Sequence, residues 1–158
     1  MKTYSLFILK PGFIGKKEEV LKLLDDNGIK VDVMEETVLS LAQAERHYAE
    51  HFGKSFYNGL VEYMTQGAVK GIYKFSPECI KMVVSSKLDE NEEDFIVRSR
   101  KVVKEVLRPA LALTREDFAS LSDEDFKELT LTANGIHASD KPESAEKEIT
   151  NLFPNFKM

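Results

Sequence analysis

The stretch that decides the fold is residues 4–33, YSLFILKPGFIGKKEEVLKLLDDNGIKVDV. It opens with an almost continuous apolar run from Tyr4 to Leu9, which is typical of a buried strand, and the Pro11-Gly12 pair indicates a turn. Between Gly15 and Asn27 the apolar residues recur at the spacing of one helix face, and an Asn-Gly pair ends that segment. Alternating apolar and charged residues from Ile29 onward predict a half-buried strand. The N-terminal part therefore predicts strand, helix, strand.

The rest of the chain predicts further helices and two more strands. Helical spacing covers residues 40–51, 57–64, 95–111 and 143–153, and strand-like runs cover 79–85 and 135–139. Residues 89–94 are acidic without an apolar anchor and predict a loop. Pro109 must kink or restart the long helix in which it stands. Ser40 is a plausible N-cap, and Thr114 and Ser122 each resemble a helix start with a capping acid three residues on.

This order of elements predicts an α+β protein. The arrangement that satisfies it is a ferredoxin-like, four-stranded antiparallel sheet with helices on its faces. A length of 158 residues fits a single domain over residues 1–158. Because this fold supports many functions, it does not decide what the protein does.

Composition and charge exclude several classes of function. The net charge of −5 argues against a broad nucleic-acid-binding face but permits an anionic small ligand, which responds to a few local cations. Cys79 is the single cysteine, so an internal disulfide and a cysteine-based zinc site are excluded. The sequence contains no apolar run of the roughly 18 residues that a membrane span needs. Since the first residues also do not resemble a signal peptide, we expect a cytoplasmic protein.

Two of the three histidines stand one helical turn apart. His47 and His51 have the i, i+4 spacing of a possible metal-binding pair, yet the metalloprotease pattern and an evident third ligand are missing. Taken by themselves, they favour the interpretation of a solvated helix face.

The third histidine stands in a different setting. His137 lies in the segment Asn134–Asp140, and Glu148 follows eleven residues later in the next predicted helix. A carboxylate in that position can hold an imidazole in one tautomer and leave the other nitrogen free to attack. Lys10 follows the first strand at a sheet end, where anionic ligands often sit. The residues alone leave a structural histidine and a merely solvated lysine as alternatives.

Read in order, several blocks of the sequence resemble the nucleoside diphosphate kinase family. The matching blocks are residues 7–11, 47–48, 56–64, 134–140 and 144–149, and the last two together are similar to the active-site signature of that family. The resemblance covers residues 4–67 and 106–153. Residues 68–105 do not align cleanly, so an insertion relative to the family is expected within them.

The resemblance implies an enzyme that transfers the γ-phosphoryl group of a nucleoside triphosphate to a nucleoside diphosphate. The transfer would be ping-pong, through a phosphohistidine on His137. Glu148 would orient that imidazole, and Ser139 would support the carboxylate. Lys10 and Tyr48 would lie near the transferring phosphate, where positive charge offsets the charge on its oxygens.

The resemblance also implies how nucleotides bind. Tyr57 would stack on the base, Asn134 would contact the sugar or a phosphate, and Arg108 and Thr114 would meet the phosphates. Mg²⁺ would bridge the phosphate oxygens, so no protein metal site is expected. The family assembles into homo-oligomers (dimers, tetramers or hexamers), which makes a homo-oligomer the expected state, with neither a membrane nor a specific nucleic acid as partner.

Some positions depart from the pattern of the family. Asp123 stands where a second phosphate-binding arginine is usual, and Arg115 is the cation that could reach across to replace it. Ala138 replaces a glycine, which predicts strain if only glycine tolerates that conformation.

Pro109 directly after Arg108 leaves Arg98 or Arg100 as alternative phosphate ligands. The departures together support an alternative, a catalytically weak or inactive kinase-like module that binds nucleotides or regulates. A third interpretation is a generic α+β interaction domain with a structural His137.

Overall fold

A computed structural model describes residues 3–158. Its main feature is a four-stranded antiparallel sheet in the order β2-β5-β1-β6, accompanied by a short β3-β4 hairpin. The strands are β1 (Tyr4–Leu9), β2 (Ile29–Thr37), β3 (Ala68–Val69), β4 (Tyr73–Lys74), β5 (Cys79–Ser86) and β6 (Ile136–Ala138). The predicted α+β class with a ferredoxin-like sheet is confirmed.

Seven helices accompany the sheet in the described part of the chain. They are α1 (Lys17–Asp26), α2 (Leu41–His47), α3 (Tyr57–Gln66), α4 (Glu92–Val102), α5 (Arg108–Ala110), α6 (Asp123–Thr132) and α7 (Pro142–Leu152). Short 3₁₀ turns lie at Ile14–Lys16, Ala49–His51 and Glu116–Phe118, and a π turn, Val103–Leu107, joins α4 to α5. Within residues 3–158 we find no helix with the length and hydropathy required to traverse a bilayer.

The two central strands are apolar along nearly their whole length because both of their faces are covered. Five of the six residues of β1 and seven of the eight residues of β5 are buried. The edge strand β2 alternates more and carries a bulge between Val31 and Val33. Continuous apolar runs therefore mark the centre of the sheet, and alternation marks its edge.

The pairing of β1 with β6 brings two candidate site residues together. Ile8 lies opposite His137, and the Lys10 N–H continues the ladder by donating to the Gly135 carbonyl at 2.8 Å. Side chains alternate between the two faces of a sheet, so residues 8 and 10 share the face on which His137 lies. The end of β1 thus places Lys10 beside His137.

Helix α4 begins earlier than its apolar residues predict. The Asn91 side chain caps it by accepting a hydrogen bond from the Asp94 N–H at 2.8 Å, and three acidic residues occupy the first turn. Negative side chains stabilise the positive end of the helix dipole. The prediction of a loop over 89–94 was therefore wrong for residues 92–94.

The restart predicted at Pro109 is confirmed. A proline cannot continue an α-helix without losing a hydrogen bond and crowding the preceding turn. Here the backbone widens into the π turn Val103–Leu107, and α5 restarts with Pro109 in its first turn. Such π turns are rare and often lie at functional sites. This one aims Arg108 toward β6.

The predicted helix caps are present. Ser40 forms a capping box with Gln43, and Ser122 accepts from the Asp125 N–H at 3.1 Å. Thr114 accepts from the Asp117 N–H at 3.3 Å, but the element that follows is only a 3₁₀ turn. Residues 68–105 contain the β3-β4 hairpin, β5 and all of α4. An insertion within them remains a prediction.

Candidate active site

A hydrogen-bonded polar group joins β6, β1 and α7 around one histidine. His137 Nε2 lies 2.7 Å from Glu148 Oε1, and Ser139 Oγ donates to the same oxygen at 2.9 Å. Ser139 Oγ in turn accepts from the Leu6 N–H of β1 at 3.1 Å. The carboxylate is thereby fixed by two donors, and it fixes the orientation of the imidazole.

His137 is held in a neutral form with one nitrogen available. Burial, together with the charges of Lys10 and Arg108, lowers the pKa of His137 to about 3. The hydrogen bond to Glu148 assigns the ring proton to Nε2 and a lone pair to Nδ1. Nδ1 makes no hydrogen bond within residues 3–158, and the side chain is 21% exposed, so this nitrogen is reachable.

The Glu148 carboxyl is buried, which raises its pKa. His47 and the hydrogen bond from Ser139 act in the opposite direction and favour the ionised form. A carboxylate that accepts from two donors is well suited to stabilise positive charge on an adjacent imidazole.

Lys10 supplies a buried cation beside the histidine. Its Nζ donates to Asn134 Oδ1 at 2.9 Å, and the residue is 7% exposed. Burial, followed by the charge of Arg108, lowers the pKa of Lys10 to about 8. Lys10 and Asn134 therefore present an ammonium group and an amide side by side, which is a suitable pair for phosphate oxygens.

The turn after Lys10 is anchored from helix α3. The Tyr63 hydroxyl donates to the Pro11 carbonyl at 2.6 Å. Gly12 adopts a φ of +96°, and a Cβ there would meet the Phe75 ring at 2.4 Å. This turn requires glycine, and it fixes where the strand carrying Lys10 ends.

Of the three candidate arginines, Arg108 is the one whose charge acts on His137. Its Nη2 lies 3.4 Å from the Ile136 carbonyl, and burial followed by the charge of Arg100 lowers its pKa. Arg100 and Arg108 line one cavity of about 440 Å³ that also reaches Ala138. Arg98 instead binds Glu90 at 2.8 Å and the Gly28 carbonyl at 3.1 Å, at the opposite end of the sheet.

Thr114 and Arg115 each have a local structural role. Thr114 is exposed and caps the 3₁₀ turn after it. Arg115 binds Asp123 at 3.0 Å and donates to the Phe118 and Leu121 carbonyls, so it holds its own loop closed. Asp123 is thus paired with the cation that was expected to replace the missing arginine.

The strain expected at Ala138 is absent. Among the described non-glycine residues the only positive φ belongs to Lys70. Ala138 lies in β6, in register with Phe7. An extended strand residue needs no glycine, which explains why alanine is tolerated there.

His47 is the residue that the sequence interpretation placed wrongly. It is 9% exposed, and its ring lies 4.6 Å from that of His137, centroid to centroid. Asn151 of α7 binds Arg46 and Gln43 of α2, at 2.7 Å and 2.9 Å, and so closes the two helices over His47. Burial and the neighbouring His137 lower the pKa of His47 to about 3.

His51 differs from its helical neighbour. Its Nδ1 lies 3.3 Å from Lys54 Nζ, its Nε2 lies 3.7 Å from Glu50, and the side chain is 30% exposed. The interpretation of a solvated helix face therefore fits His51 and not His47.

The aromatic residues around the site differ in how far their rings are exposed. Tyr48 is buried with its ring 4.7 Å from that of His47, and burial followed by the Glu148 charge raises its pKa, so its hydroxyl stays protonated. Tyr57 is only 8% exposed and packs on Phe52, whereas Phe56 is 42% exposed. More of the Phe56 ring than of the Tyr57 ring is therefore free to stack on a base, and Phe52 is more exposed still, at 78%. The inward spacing of residues 57, 61 and 64 on α3 was the signal that could have predicted the burial of Tyr57.

Comparisons with known proteins agree on one family. The family model described as nucleoside diphosphate kinase matches residues 3–158. A nucleoside diphosphate kinase from Chloroflexus aurantiacus is 33% identical over 154 residues, covering 94% of this chain and 85% of that protein. One from Thermosipho africanus is 31% identical over 149 residues, covering 92% and 84%.

A solved structure shares the fold. The crystal structure of the Aquifex aeolicus nucleoside diphosphate kinase superimposes with a TM-score of 0.66 at 22% identity, over 97% of this chain and 96% of that one. The match of the family model to nearly the whole chain, with relatives above 30% identity, shows that the chain belongs to the nucleoside diphosphate kinase family.

Proposed function

We propose that this protein is a nucleoside diphosphate kinase that works through a phosphohistidine on His137. The observation that carries the proposal is the 2.7 Å contact between His137 Nε2 and Glu148, which leaves Nδ1 as the free nitrogen. Family membership supports the reaction class. The roles of the individual residues follow from their chemistry.

In the first half-reaction the Nδ1 lone pair of His137 attacks the γ-phosphorus of a nucleoside triphosphate. A nitrogen–phosphorus bond forms, the bond to the bridging β,γ-oxygen breaks, and the nucleoside diphosphate leaves with that electron pair. Positive charge grows on the imidazole, and Glu148 stabilises it at the Nε2–H. A second nucleoside diphosphate then takes the phosphoryl group by the reverse steps, which is ping-pong catalysis.

In this proposal the phosphate oxygens are bound by Lys10, Asn134 and Arg108. Charge-assisted hydrogen bonds from cations to phosphate are stronger than neutral ones, and a buried site amplifies them. Lys10 is positioned by β1 and Arg108 by the restarted helix α5, so the two approach from different elements. Tyr48 completes the site with a protonated hydroxyl.

Mg²⁺ fits this site as a companion of the nucleotide. Besides the Lys10 ammonium and the Asn134 amide, the described residues beside His137 include the His47 imidazole and the Glu148 carboxylate, which binds His137 and Ser139. Mg²⁺ prefers oxygen ligands and is commonly held by substrate phosphates. The ion would neutralise phosphate charge, while the chain's own residues bind and orient.

The activity is tested by steady-state kinetics. Varying a triphosphate donor against a diphosphate acceptor should give parallel double-reciprocal lines, and His137→Ala should abolish turnover. Glu148→Gln keeps the shape of the side chain but removes its charge, and we expect kcat to fall about 100-fold. Intersecting lines, or activity that survives His137→Ala, would refute the mechanism.

A slow, nucleotide-binding homologue is the second candidate, favoured by one observation. The Arg115–Asp123 ion pair engages the cation that could replace a phosphate-binding arginine, which the family resemblance expects near Asp123. Losing one charge-assisted phosphate contact costs about 1.5–3 kcal/mol. Nucleotide binding without turnover would favour this candidate.

We also propose a homo-oligomeric, cytoplasmic enzyme. Large apolar side chains lie exposed at Leu41, Phe52, Val97 and Leu131, with exposures of 60%, 78%, 66% and 66%. Self-association would cover surface of this kind. Multi-angle light scattering should give a mass that is a multiple of the chain mass, and a monomer would contradict this part of the proposal.

A further inference from the structure

We propose that His47, His137 and Glu148 form a binding site for a transition-metal cation of the zinc class, and that metal bound there blocks the nucleophile. Each side chain offers one ligand atom, and the three atoms lie within 4.8 Å of one another. Such a triangle can close on a single ion with small side-chain rotations. This site differs from the Mg²⁺ that accompanies a nucleotide.

A second observation points to a ligand at this place. His47 Nδ1 is buried and has no hydrogen-bond partner. Leaving a buried polar atom unpaired is costly, so native proteins seldom do it without a reason. The His47 imidazole also packs edge-on against the His137 ring, with 4.6 Å between the ring centroids. The unpaired nitrogen therefore belongs to a ring that already lies against the proposed nucleophile.

The donor set selects the kind of metal. Two imidazoles and one carboxylate suit zinc and neighbouring transition metals, and a water molecule can complete four-coordination. Mg²⁺ prefers oxygen ligands throughout and is disfavoured by two nitrogens.

An ion can approach the site through a cavity. His47 and Glu148 line a cavity of about 1050 Å³ between α2 and α7. Lys10 and Arg108, whose charges act on His137, do not line that cavity. Three other cations, Arg46, Lys141 and Lys147, do line it, but three carboxylates, of Glu50, Glu143 and Glu146, accompany them along the approach.

Either mode of coordination disables His137. If Nδ1 binds the metal, its lone pair is consumed. If Nε2 binds the metal, the ring proton moves to Nδ1, and the lone pair is again lost. Metal binding and phosphohistidine formation therefore exclude each other. This inhibitory consequence rests on the proposed function, whereas the binding itself does not.

The test is calorimetric titration of the nucleotide-free protein with ZnCl₂. We expect one ion per chain and an affinity about tenfold or more weaker in His47→Ala. His51→Ala is the matched control, because His51 stands one turn away outside the cluster, and it should bind zinc like the unchanged protein. Co²⁺ should give visible absorption bands of a four-coordinate site, which His47→Ala removes.

Zinc binding that is absent, or that is equally strong in His47→Ala, would overturn the proposal. A loss of affinity in His51→Ala as large as that in His47→Ala would do the same, since it would indicate a surface site. Circular dichroism checks that each variant folds. If His47→Ala does not fold, His47→Gln takes its place, and we expect the same loss of zinc affinity. Because no nucleotide is present, failure of the kinase assay and failure of this site are separate results.

Discussion

The proposed reaction depends on the protonation states of His137 and Lys10. His137 must be neutral to attack, and its pKa of about 3 keeps it neutral well below pH 6. Lys10 must be charged to serve phosphate, and its pKa of about 8 means that it loses its proton in mildly alkaline solution. The acid side of the activity profile is therefore set by His137 and the alkaline side by Lys10.

The pH profile of kcat/KM tests this assignment, because it reports the groups of the free enzyme. We expect kcat/KM to fall about tenfold per pH unit above roughly pH 8. Lys10→Arg keeps the charge to far higher pH, so the alkaline limb should move upward or vanish. An unchanged alkaline limb in Lys10→Arg would show that another group titrates.

Ser139→Ala tests the support of the carboxylate. The substitution removes the donor to Glu148 and the acceptor of the Leu6 N–H, both in the buried interior. We expect a loss of about 1–3 kcal/mol in the free energy of unfolding and a kcat about tenfold lower. Urea unfolding and initial rates measure the two effects. Ser120→Ala, at an exposed serine, is the control and should change neither.

At the scale of single residues, the sequence predicted which side chains interact better than it predicted how exposed each side chain is. The spacing of His137 and Glu148 made their contact a possibility, and the part of Ser139 came from the resemblance to the kinase family. The burial of His47 depends on α2 closing on α7 through Asn151, a contact between segments more than a hundred residues apart. Periodicity within α2 carries no information about that contact.

Among the elements, β6 is short but essential to the site. It follows Gly135, which has a φ of +95° and whose carbonyl accepts from Lys10. A Cβ at Gly135 would lie 2.9 Å from the Leu111 side chain, after the restarted helix. The turn before β6 therefore needs glycine for both its conformation and its space.

Gly135→Ala should destabilise the protein by about 2 kcal/mol or more, from positive-φ strain and the clash with Leu111. Gly15→Ala is the matched control, since nothing lies within 4 Å of the place that its new methyl group would take and its φ is not positive. It should change stability by less than about 0.5 kcal/mol. Urea unfolding compares the two variants, and equal stabilities would contradict this account of the turn.

The elements also show where local patterns stop being informative. The order of the four strands of the main sheet followed from apolar runs, stop signals and caps, whereas the β3-β4 hairpin was not predicted. The start of α4 was misjudged because acidic residues resemble a loop until their helix-dipole role is considered. Pro109 predicted an interruption of the helix. The π turn that accommodates the proline, Val103–Leu107, has no sequence signature of its own.

On the scale of the whole molecule, two neutral histidines, the buried His47 and the half-buried His137, make stability depend on pH. The pKa values of His47 and His137 are about 3 when folded, whereas histidine in an unfolded chain has about 6.5. The unfolded state thus binds more protons below pH 6.5. The contribution of these histidines to the free energy of unfolding is fully present above pH 6.5. It decreases as the pH falls from about 6.5 toward about 3.

Each of the two histidines should lower the free energy of unfolding by about 2 kcal/mol when the pH falls from 7 to 5. Carboxylates also titrate in the molecule, so the informative quantity is a difference between variants. His47→Asn should reduce the stability lost over this interval by about 2 kcal/mol, as measured by urea unfolding at both pH values. His51→Asn should leave the loss unchanged. An equal pH dependence in all three proteins would contradict a buried, neutral His47.

The central claim, that His137 carries the phosphoryl group, is tested most directly by labelling. The protein is incubated with γ-³²P-ATP and Mg²⁺ without an acceptor, and GDP is then added. We expect one base-stable, acid-labile label per chain on His137, which passes to GDP as labelled GTP and is absent from His137→Ala. Label that survives His137→Ala, or that does not transfer to GDP, would contradict it.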